Sequence, residues 1–148
     1  MSLARAAALA GIVLFAGCNG SERDREHLAS SIAADKQVSE ELRRADALAV
    51  TGKQKEAVDV VRGKALVMAG QNVERLDRLP LGSRWGKERG ADVKKLLVLR
   101  RKSVEEYADA LASDDLARVV SAMEAQKPVE QRALAVEEAL RSPPSGCE

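Results

Sequence analysis

Apolar residues recur at helical spacing along most of the chain, and they fall into blocks separated by clear stop signals. The first block follows Ser21, which is a predicted N-cap with acidic residues after it. The block ends at Thr51-Gly52, where glycine suits the left-handed position past a helix end. Most of its apolar positions are three or four residues apart, which predicts one buried helix face. They are Leu28, Ile32, Val38, Leu42, Ala45 and Leu48.

A second helix is predicted from about Gln54 to Asp77, because its apolar residues keep the same spacing. It contains Gly63 and Gly70, seven positions apart on a shared face. Each glycine costs about 1 kcal/mol relative to alanine inside a helix. We therefore expect a neighbouring helix to approach closely at these glycines, with a ligand groove as the alternative.

The second half of the chain predicts a loop and two more helices. Leu79 to Gly86 contains Pro80 and two glycines, so it is predicted to be the main loop. The third helix, from about Lys87 to Ala112, is very apolar in its middle and is predicted to be the most buried. A fourth helix follows the cap at residues 113–115 and is interrupted at Pro128.

These blocks predict an all-α fold. No alternating strand pattern of useful length occurs, and aromatic residues make up only 2% of the chain. Two antiparallel helical hairpins, joined through the Pro80 loop, bury the apolar faces most simply. The sequence therefore predicts an antiparallel bundle of about four helices over residues 28–141, with the last helix broken at Pro128.

The first eighteen residues predict export and lipidation. One basic residue, Arg5, precedes the uninterrupted apolar or small run of residues 6–15. This run is too short to span a bilayer, for which about 18 residues are needed, but it suits the core of an export signal. Leu14-Phe15-Ala16-Gly17-Cys18 resembles the lipobox of bacterial lipoproteins, departing from it at Phe15, where Leu is usual. An ordinary secretory signal, cleaved nearby, is the alternative.

The resemblance implies a domain organisation and a location. Residues 1–17 would be a lipoprotein signal peptide, 18–27 a lipidated anchor and polar stalk, and 142–148 a disordered tail. The mature protein would be tied to a membrane through acyl chains on Cys18 and face the periplasm. Asn19 replaces the Asp often associated with inner-membrane retention, which favours the outer membrane.

Cys147 would then be the one remaining thiol in an oxidising compartment. It is either an unpaired cysteine near the chain end or a disulfide partner for another chain. If Cys18 is not lipidated, a bridge between Cys18 and Cys147 becomes conceivable.

Charge is uneven along the predicted third helix. Residues 82–102 carry a net charge of +6, and residues 103–115 carry −5. The basic half is a candidate contact for anionic headgroups or a partner protein, with each cation contributing about 1 kcal/mol near such a surface. The alternative is that these charges solvate an apolar helix and pair with other helices. The candidate contact residues are Arg84, Trp85, Lys94, Lys95, Arg100 and Arg101.

Trp85, the single tryptophan, has three interpretations. It either caps the end of the core, anchors the protein in lipid headgroups, or serves as a hot spot for a partner.

The chain shows no motif for catalysis or for a cofactor. His27 is the sole histidine, and neither a Gly-x-Ser-x-Gly elbow nor a phosphate-binding glycine loop occurs. A net charge of +1 and few stacking aromatics argue against nucleic acid. We therefore expect a non-enzymatic envelope lipoprotein without metal or cofactor, acting as a helical scaffold or interaction module for another envelope protein. The alternative is an envelope enzyme that acts on cell-wall glycan.

Overall fold

Helices account for nearly all of the described chain. The computed structural model describes residues 16–113 and 115–142, with side chains from Gly20 onward. The signal-peptide core and the 143–148 tail lie outside the described residues, as do the side chains of Cys18 and Asn19. Within the described ranges the helices are α1 (Ala16–Val50), α2 (Gln54–Val60), a π-helical segment (Val61–Ala65), α3 (Leu66–Asp77), α4 (Arg84–Ala112) and α5 (Leu116–Arg141).

The predicted all-α bundle is confirmed. α2, the π-helical segment and α3 follow one another without a break and form one long helix, here called the second arm. With α1, α4 and α5 as the first, third and fourth arms, the described residues form a bundle of four. α1 and α4 each contact every other arm, whereas α5 does not contact the second arm. α1 and α4 therefore form the centre, with the second arm on one side and α5 on the other.

The helix ends follow from local chemistry. After α1, Gly52 has φ of 78°, the left-handed conformation expected there. α4 begins at Arg84, three residues earlier than predicted, because the Ser83 hydroxyl accepts from the N–H of Gly86 at 2.8 Å. At the start of α5 the Asp115 carboxylate accepts from the N–H of Arg118 at 3.2 Å, which confirms the predicted cap.

The prediction that the last helix is broken at Pro128 is wrong. α5 continues through Pro128, although proline removes one backbone hydrogen bond from the helix interior. The Pro128 ring is exposed, and the buried residues Gln126 and Val129 flank it. α5 is therefore held against the bundle on both sides of the proline.

The expectation of a close helix approach at Gly63 and Gly70 is also wrong. A Cβ atom built on either glycine meets nothing within 4 Å. Gly63 instead lies in the middle of the π-helical segment, where one turn of the arm is wider than an α-helix. The close approaches occur at Gly86, against Asp24, and at Gly90, against Leu81.

The core consists of two apolar clusters at opposite ends of the bundle. The distal cluster lies where α1 leads into α2, and includes Val38, Leu42, Val61, Val104 and Leu111. The proximal cluster lies near the start of α1, the 78–83 loop and the end of α5. It includes Leu28, Ile32, Leu76, Val93, Leu96, Leu97, Val129, Val136 and Leu140. The predicted apolar stripes therefore supply most of the core.

Candidate functional site

The start of α1 is fastened to the loop before α4. Asp24 is 2% exposed, and its Oδ2 accepts from the N–H of Ser83 at 2.8 Å and from the Ser83 hydroxyl at 2.6 Å. Its Oδ1 accepts from the N–H of Gly82 at 3.2 Å. Burial opposes the negative charge on Asp24, but these bonds outweigh it, so the pKa of Asp24 lies below its usual value.

This arrangement corrects the expectation that residues 18–27 form a polar stalk. Ser21 lies inside α1 and is buried, so it is not an N-cap. Asp24 is buried as well, because the backbone donors of the 82–83 loop satisfy its carboxylate. From Ser21 onward, α1 is part of the bundle.

Trp85 lies in the first turn of α4, half-buried against the proximal cluster. This packing agrees with the interpretation of Trp85 as a cap on the core, one of the three that the sequence allows. Its neighbour Arg84 is exposed and its Nε lies 3.0 Å from Oε1 of Glu88, one turn further along α4. The two residues are therefore at the proximal end, close to the start of α1.

The exposed cations of α4 mostly lie beside carboxylates of the same chain. Lys94 Nζ is 2.7 Å from Oδ1 of Asp77, and Arg101 Nε is 3.1 Å from Oε1 of Glu105. Lys95 is exposed. Exposed pairs of this kind contribute little to stability, typically below about 1 kcal/mol. These ion pairs do offset part of the net positive charge that the sequence shows over residues 82–102.

Arg100 is not a surface contact, which corrects its assignment as a candidate. It is 1% exposed and forms a two-pronged ion pair with Asp35, with Nε 3.1 Å from Oδ1 and Nη2 3.1 Å from Oδ2. Its Nη1 also donates to Oε1 of Glu130 at 2.8 Å. The guanidinium thereby joins α1, α4 and α5 at one level between the two apolar clusters.

Burial affects both members of this pair. Removal from water raises the pKa of Asp35 above its usual value, and Arg100 opposes that rise only in part. Burial also acts to lower the pKa of Arg100, but Asp35 and Glu130 more than offset it, so its pKa is raised. Arg100 therefore stays charged, and the interior contains a permanent cation.

A second group of buried polar side chains follows Arg100 toward the distal end. The following atoms are buried without a hydrogen-bond partner among the described residues: Asp46 Oδ1, Ser103 Oγ, Tyr107 OH and Gln126 Nε2. Ser103 lies three residues after Arg100 on α4, and Gln126 lies four before Glu130 on α5. Because these spacings correspond to about one helical turn, Ser103 and Gln126 lie next to the ion pair, whereas Asp46 and Tyr107 lie further toward the distal end.

Tyr107 and Asp46 are neighbours within this group. Burial raises the pKa of Tyr107 far above its usual value, and the adjacent Asp46 carboxylate raises it further. Burial likewise raises the pKa of Asp46, with Tyr107 acting in the opposite direction. The Tyr107 hydroxyl and the Asp46 carboxylate thus act as donor and acceptor toward each other.

A groove runs between α1 and α5 beside these polar residues. It has a volume of about 480 Å³. α1 contributes Ser39, Arg43 and Asp46, and α5 contributes Met123, Glu124, Gln126, Lys127, Glu130 and Gln131. Asp46 and Gln126, which each have a buried polar atom, are therefore among the residues that line this groove.

A second groove between the same helices lies toward the proximal end. Its volume is about 430 Å³ and its lining includes Arg25, Ile32, Lys36, Glu137 and Arg141. Here the charged groups pair with each other: Lys36 Nζ is 2.9 Å from Glu137 Oε1, and Arg141 Nη2 is 3.1 Å from the same oxygen. These cations lower the pKa of Glu137.

The described residues also bear on metal and membrane binding. No group of three or more His, Cys, Asp or Glu side chains within them has the spacing to hold a metal ion. No helix among them is long and apolar enough to cross a membrane. Cys18 and Cys147, the candidates for lipid attachment and for a disulfide, both lie where the structure gives no side-chain description.

Sequence reasoning missed Asp35 and Gln126 as buried residues and placed Arg100 on the surface, whereas Asp35 and Arg100 pair at the centre of the bundle. Asp35, Arg100 and Gln126 occupy positions on otherwise apolar helix stripes, such as Arg100 between Leu97 and Val104. A charged residue at a core position of a helix is the signal that would have identified them.

Comparisons with known proteins give no relative. No family model matches the chain, and neither a curated protein nor a solved structure is significantly similar to it.

Proposed function

We propose that this protein is a bacterial cell-envelope lipoprotein whose helical bundle recruits or spaces another envelope protein. The observation that carries the proposal is the apolar or small run of residues 6–15, whose last two residues form the motif Leu14-Phe15-Ala16-Gly17-Cys18 with the three that follow. Two or more acyl chains on Cys18 would make a stable anchor, because each buried methylene contributes about 0.8 kcal/mol. The mature chain would begin at Cys18.

The packing of α1 supports a short tether. Six positions separate Cys18 from Asp24, the first charged residue that α1 buries. At about 1.5 Å per residue in a helix, this separation corresponds to about 9 Å. A lipidated Cys18 would therefore hold the proximal end of the bundle close to the bilayer, with Trp85 and Arg84 at that end.

The opposite end would then be presented to the periplasm. Val50, at the end of α1, is 78% exposed, and Leu116, at the start of α5, is 76% exposed. Both residues lie at the distal end, far from the proposed anchor. This orientation suits a module that meets its partner away from the membrane.

An enzyme acting on cell-wall glycan is the alternative, and it needs an acidic residue in a cleft beside an aromatic side chain. Glu88, the glutamate nearest to Trp85 in sequence, is exposed and paired with Arg84. Trp85 itself packs against the proximal cluster. No observation specifically favours the enzyme, so we propose the interaction module.

Metabolic labelling with a palmitate analogue tests this proposal in cells that produce the full chain. We expect the label on the wild-type protein and on Cys147→Ser, the matched cysteine control, and none on Cys18→Ser. The labelled proteins should sediment with membranes. Equal labelling of Cys18→Ser, or release of the wild type into the soluble fraction, contradicts the proposal.

A further inference from the structure

The outer face of α4 has charges of opposite sign in its two halves. Between residues 84 and 102 the exposed charged side chains include a single acid, Glu88. The exposed cations of this half, here called the basic face, are Arg84, Lys87, Lys94, Lys95, Arg101 and Lys102. Between residues 103 and 112 the exposed charged side chains are all acidic, namely Glu105, Glu106 and Asp109. The exposed side of α4 is therefore basic toward its start and acidic toward its end.

Much of this positive charge is available to an outside anion. Four of the six cations lie within 4 Å of a carboxylate, but these pairs are open to water and therefore weak. Lys87 and Lys95 are exposed and have no carboxylate within 4 Å in the part of the chain that the structure describes. α1 has no comparable excess, since its exposed charged residues are three acids and four cations.

Exposed apolar side chains lie among these cations. Val98 is 49% exposed and Leu99 is 39% exposed, both in the middle of α4. Residues three or four positions apart form one stripe along the exposed side of the helix, and this stripe is Lys87, Ala91, Lys95, Val98 and Lys102. Lysines and arginines beside apolar side chains are typical of helices that lie at the surface of an anionic bilayer.

The basic face begins beside the proposed lipid anchor. The first turn of α4 lies against the start of α1, because a Cβ atom built on Gly86 would meet Asp24. Asp24 is six positions, or about 9 Å of helix, from Cys18. The acidic half of α4 lies at the other end, where Leu111 belongs to the distal cluster. An anionic bilayer attracts the basic face and repels the acidic half, so the charges favour the same orientation as a lipid on Cys18.

An upright bundle would keep most of the basic face away from the bilayer. Lys95 lies nine residues beyond Gly86, about 14 Å further along α4 and so about 23 Å from the anchor. Charges act over only about 10 Å at ordinary salt concentration. We infer that the bundle tilts about its anchor and that the basic face of α4 lies on the anionic lipids of the membrane. The inference rests on the proposed function, which places the bilayer beside the start of α4.

Vesicle flotation tests the inference with the full chain carrying Cys18→Ser, here called the parent protein, which has no thiol at residue 18 to acylate. The vesicles consist of phosphatidylcholine alone or of an equimolar mixture with phosphatidylglycerol. We expect the anionic vesicles to bind the parent protein at least about tenfold more tightly, because each cation near such a surface strengthens binding about fivefold. Molar salt should remove the difference, since it shortens the range of the charges to about 3 Å.

Two matched double variants of the parent protein locate the contact. Lys87→Gln with Lys95→Gln removes the two unpaired cations of the basic face and should weaken binding to anionic vesicles about 25-fold. Lys55→Gln with Lys64→Gln removes two exposed lysines of the second arm and leaves the same net charge. This control should bind within about twofold of the parent protein. Lys95→Gln alone should weaken binding about fivefold, because the tilt brings Lys95 to the headgroups.

Equal binding of the parent protein to the two kinds of vesicle overturns the inference. An equal loss in the two double variants also overturns it, because binding would then follow net charge alone, as does a Lys95→Gln variant that binds like the parent protein. Palmitate labelling of the wild type reports separately on the anchor. A labelled protein whose Cys18→Ser form does not prefer anionic vesicles refutes the basic face alone, and an unlabelled protein with that preference refutes the anchor alone.

Discussion

Asp24 and Ser83 join the first helix to the start of the third arm. Asp24 Oδ2 accepts both the N–H and the hydroxyl of Ser83, at 2.8 and 2.6 Å, and that same hydroxyl accepts from Gly86 to cap α4. One buried carboxylate therefore fixes both the position of α1 and the beginning of α4. If Cys18 is lipidated as we propose, this link also fixes where the bundle lies relative to the lipid anchor.

Removal of the Asp24 carboxylate should destabilise the protein. Asp24→Ala leaves the Ser83 and Gly82 donors without their acceptor, and hydrogen bonds to charged groups contribute about 1.5–3 kcal/mol each. We expect the free energy of unfolding to fall by about 2–4 kcal/mol in urea titrations. Glu22→Ala, at an exposed position on the same helix, should change it by less than about 0.5 kcal/mol. Equal effects of the two changes would contradict this role.

The same carboxylate predicts a pH dependence. The pKa of Asp24 in the folded protein lies below its usual value of 3.8, so the folded state prefers the ionised form. Its contribution to stability is complete above pH 3.8 and is lost as the pH falls through the lowered folded pKa. The stability difference between wild type and Asp24→Asn should stay constant from about pH 6 to 5 and narrow below about pH 4. A difference that widens on acidification would be inconsistent with a depressed pKa.

Alanine substitution of glycine should stabilise the protein at Gly63 and Gly70 and destabilise it at Gly86. Gly63→Ala and Gly70→Ala place a methyl group in open space and restore helix propensity, so each should stabilise by about 0.5–1 kcal/mol. Gly86→Ala should destabilise the protein, because its Cβ would lie 2.6 Å from Asp24 Cβ. Thermal unfolding followed by circular dichroism measures all three. Loss of stability at Gly63 and Gly70 would show that these glycines have a role within the bundle.

Breaking the central ion pair should be costly. Arg100→Met leaves Asp35 buried without its cation, and removing one partner of a buried pair typically costs about 3–5 kcal/mol. Arg101→Met, one residue along on the exposed side, should cost less than about 0.5 kcal/mol. Asp35→Leu combined with Arg100→Met should be more stable than Arg100→Met alone, because Asp35 no longer leaves an unpaired charge in the interior, and Glu130, which also loses its partner, is partly exposed to water. Urea unfolding of the wild type, Arg100→Met, Asp35→Leu and the double variant gives the coupling between Asp35 and Arg100.

Local sequence patterns predicted the architecture because they act within a few residues. The spacing of Leu28, Ile32 and Leu42 specified a buried helix face, and Gly52 and Asp115 specified helix ends. These signals depend on backbone conformation and on periodicity, which a single sequence displays directly.

Contacts between distant segments account for the errors. Asp24 and Arg100 resemble surface residues in sequence. The 82–83 loop makes the burial of Asp24 favourable, and Asp35 does the same for Arg100. Pro128 resembles a helix break, but buried neighbours on both sides keep α5 continuous. Gly63 resembled a packing position, whereas it lies in the π-helical segment with open space beside it. The α1–α5 groove could not be predicted from the sequence either, because its lining comes from two helices about 80 residues apart.

The intact mass of the native protein, purified from membranes, tests the central claim most directly. We predict a polypeptide that begins at Cys18, with added mass equal to a diacylglycerol thioether. Fragmentation should place that added mass on Cys18. A native protein that retains residues 1–17, or that carries an unmodified Cys18 thiol, would contradict the lipid anchor on which the proposed function depends.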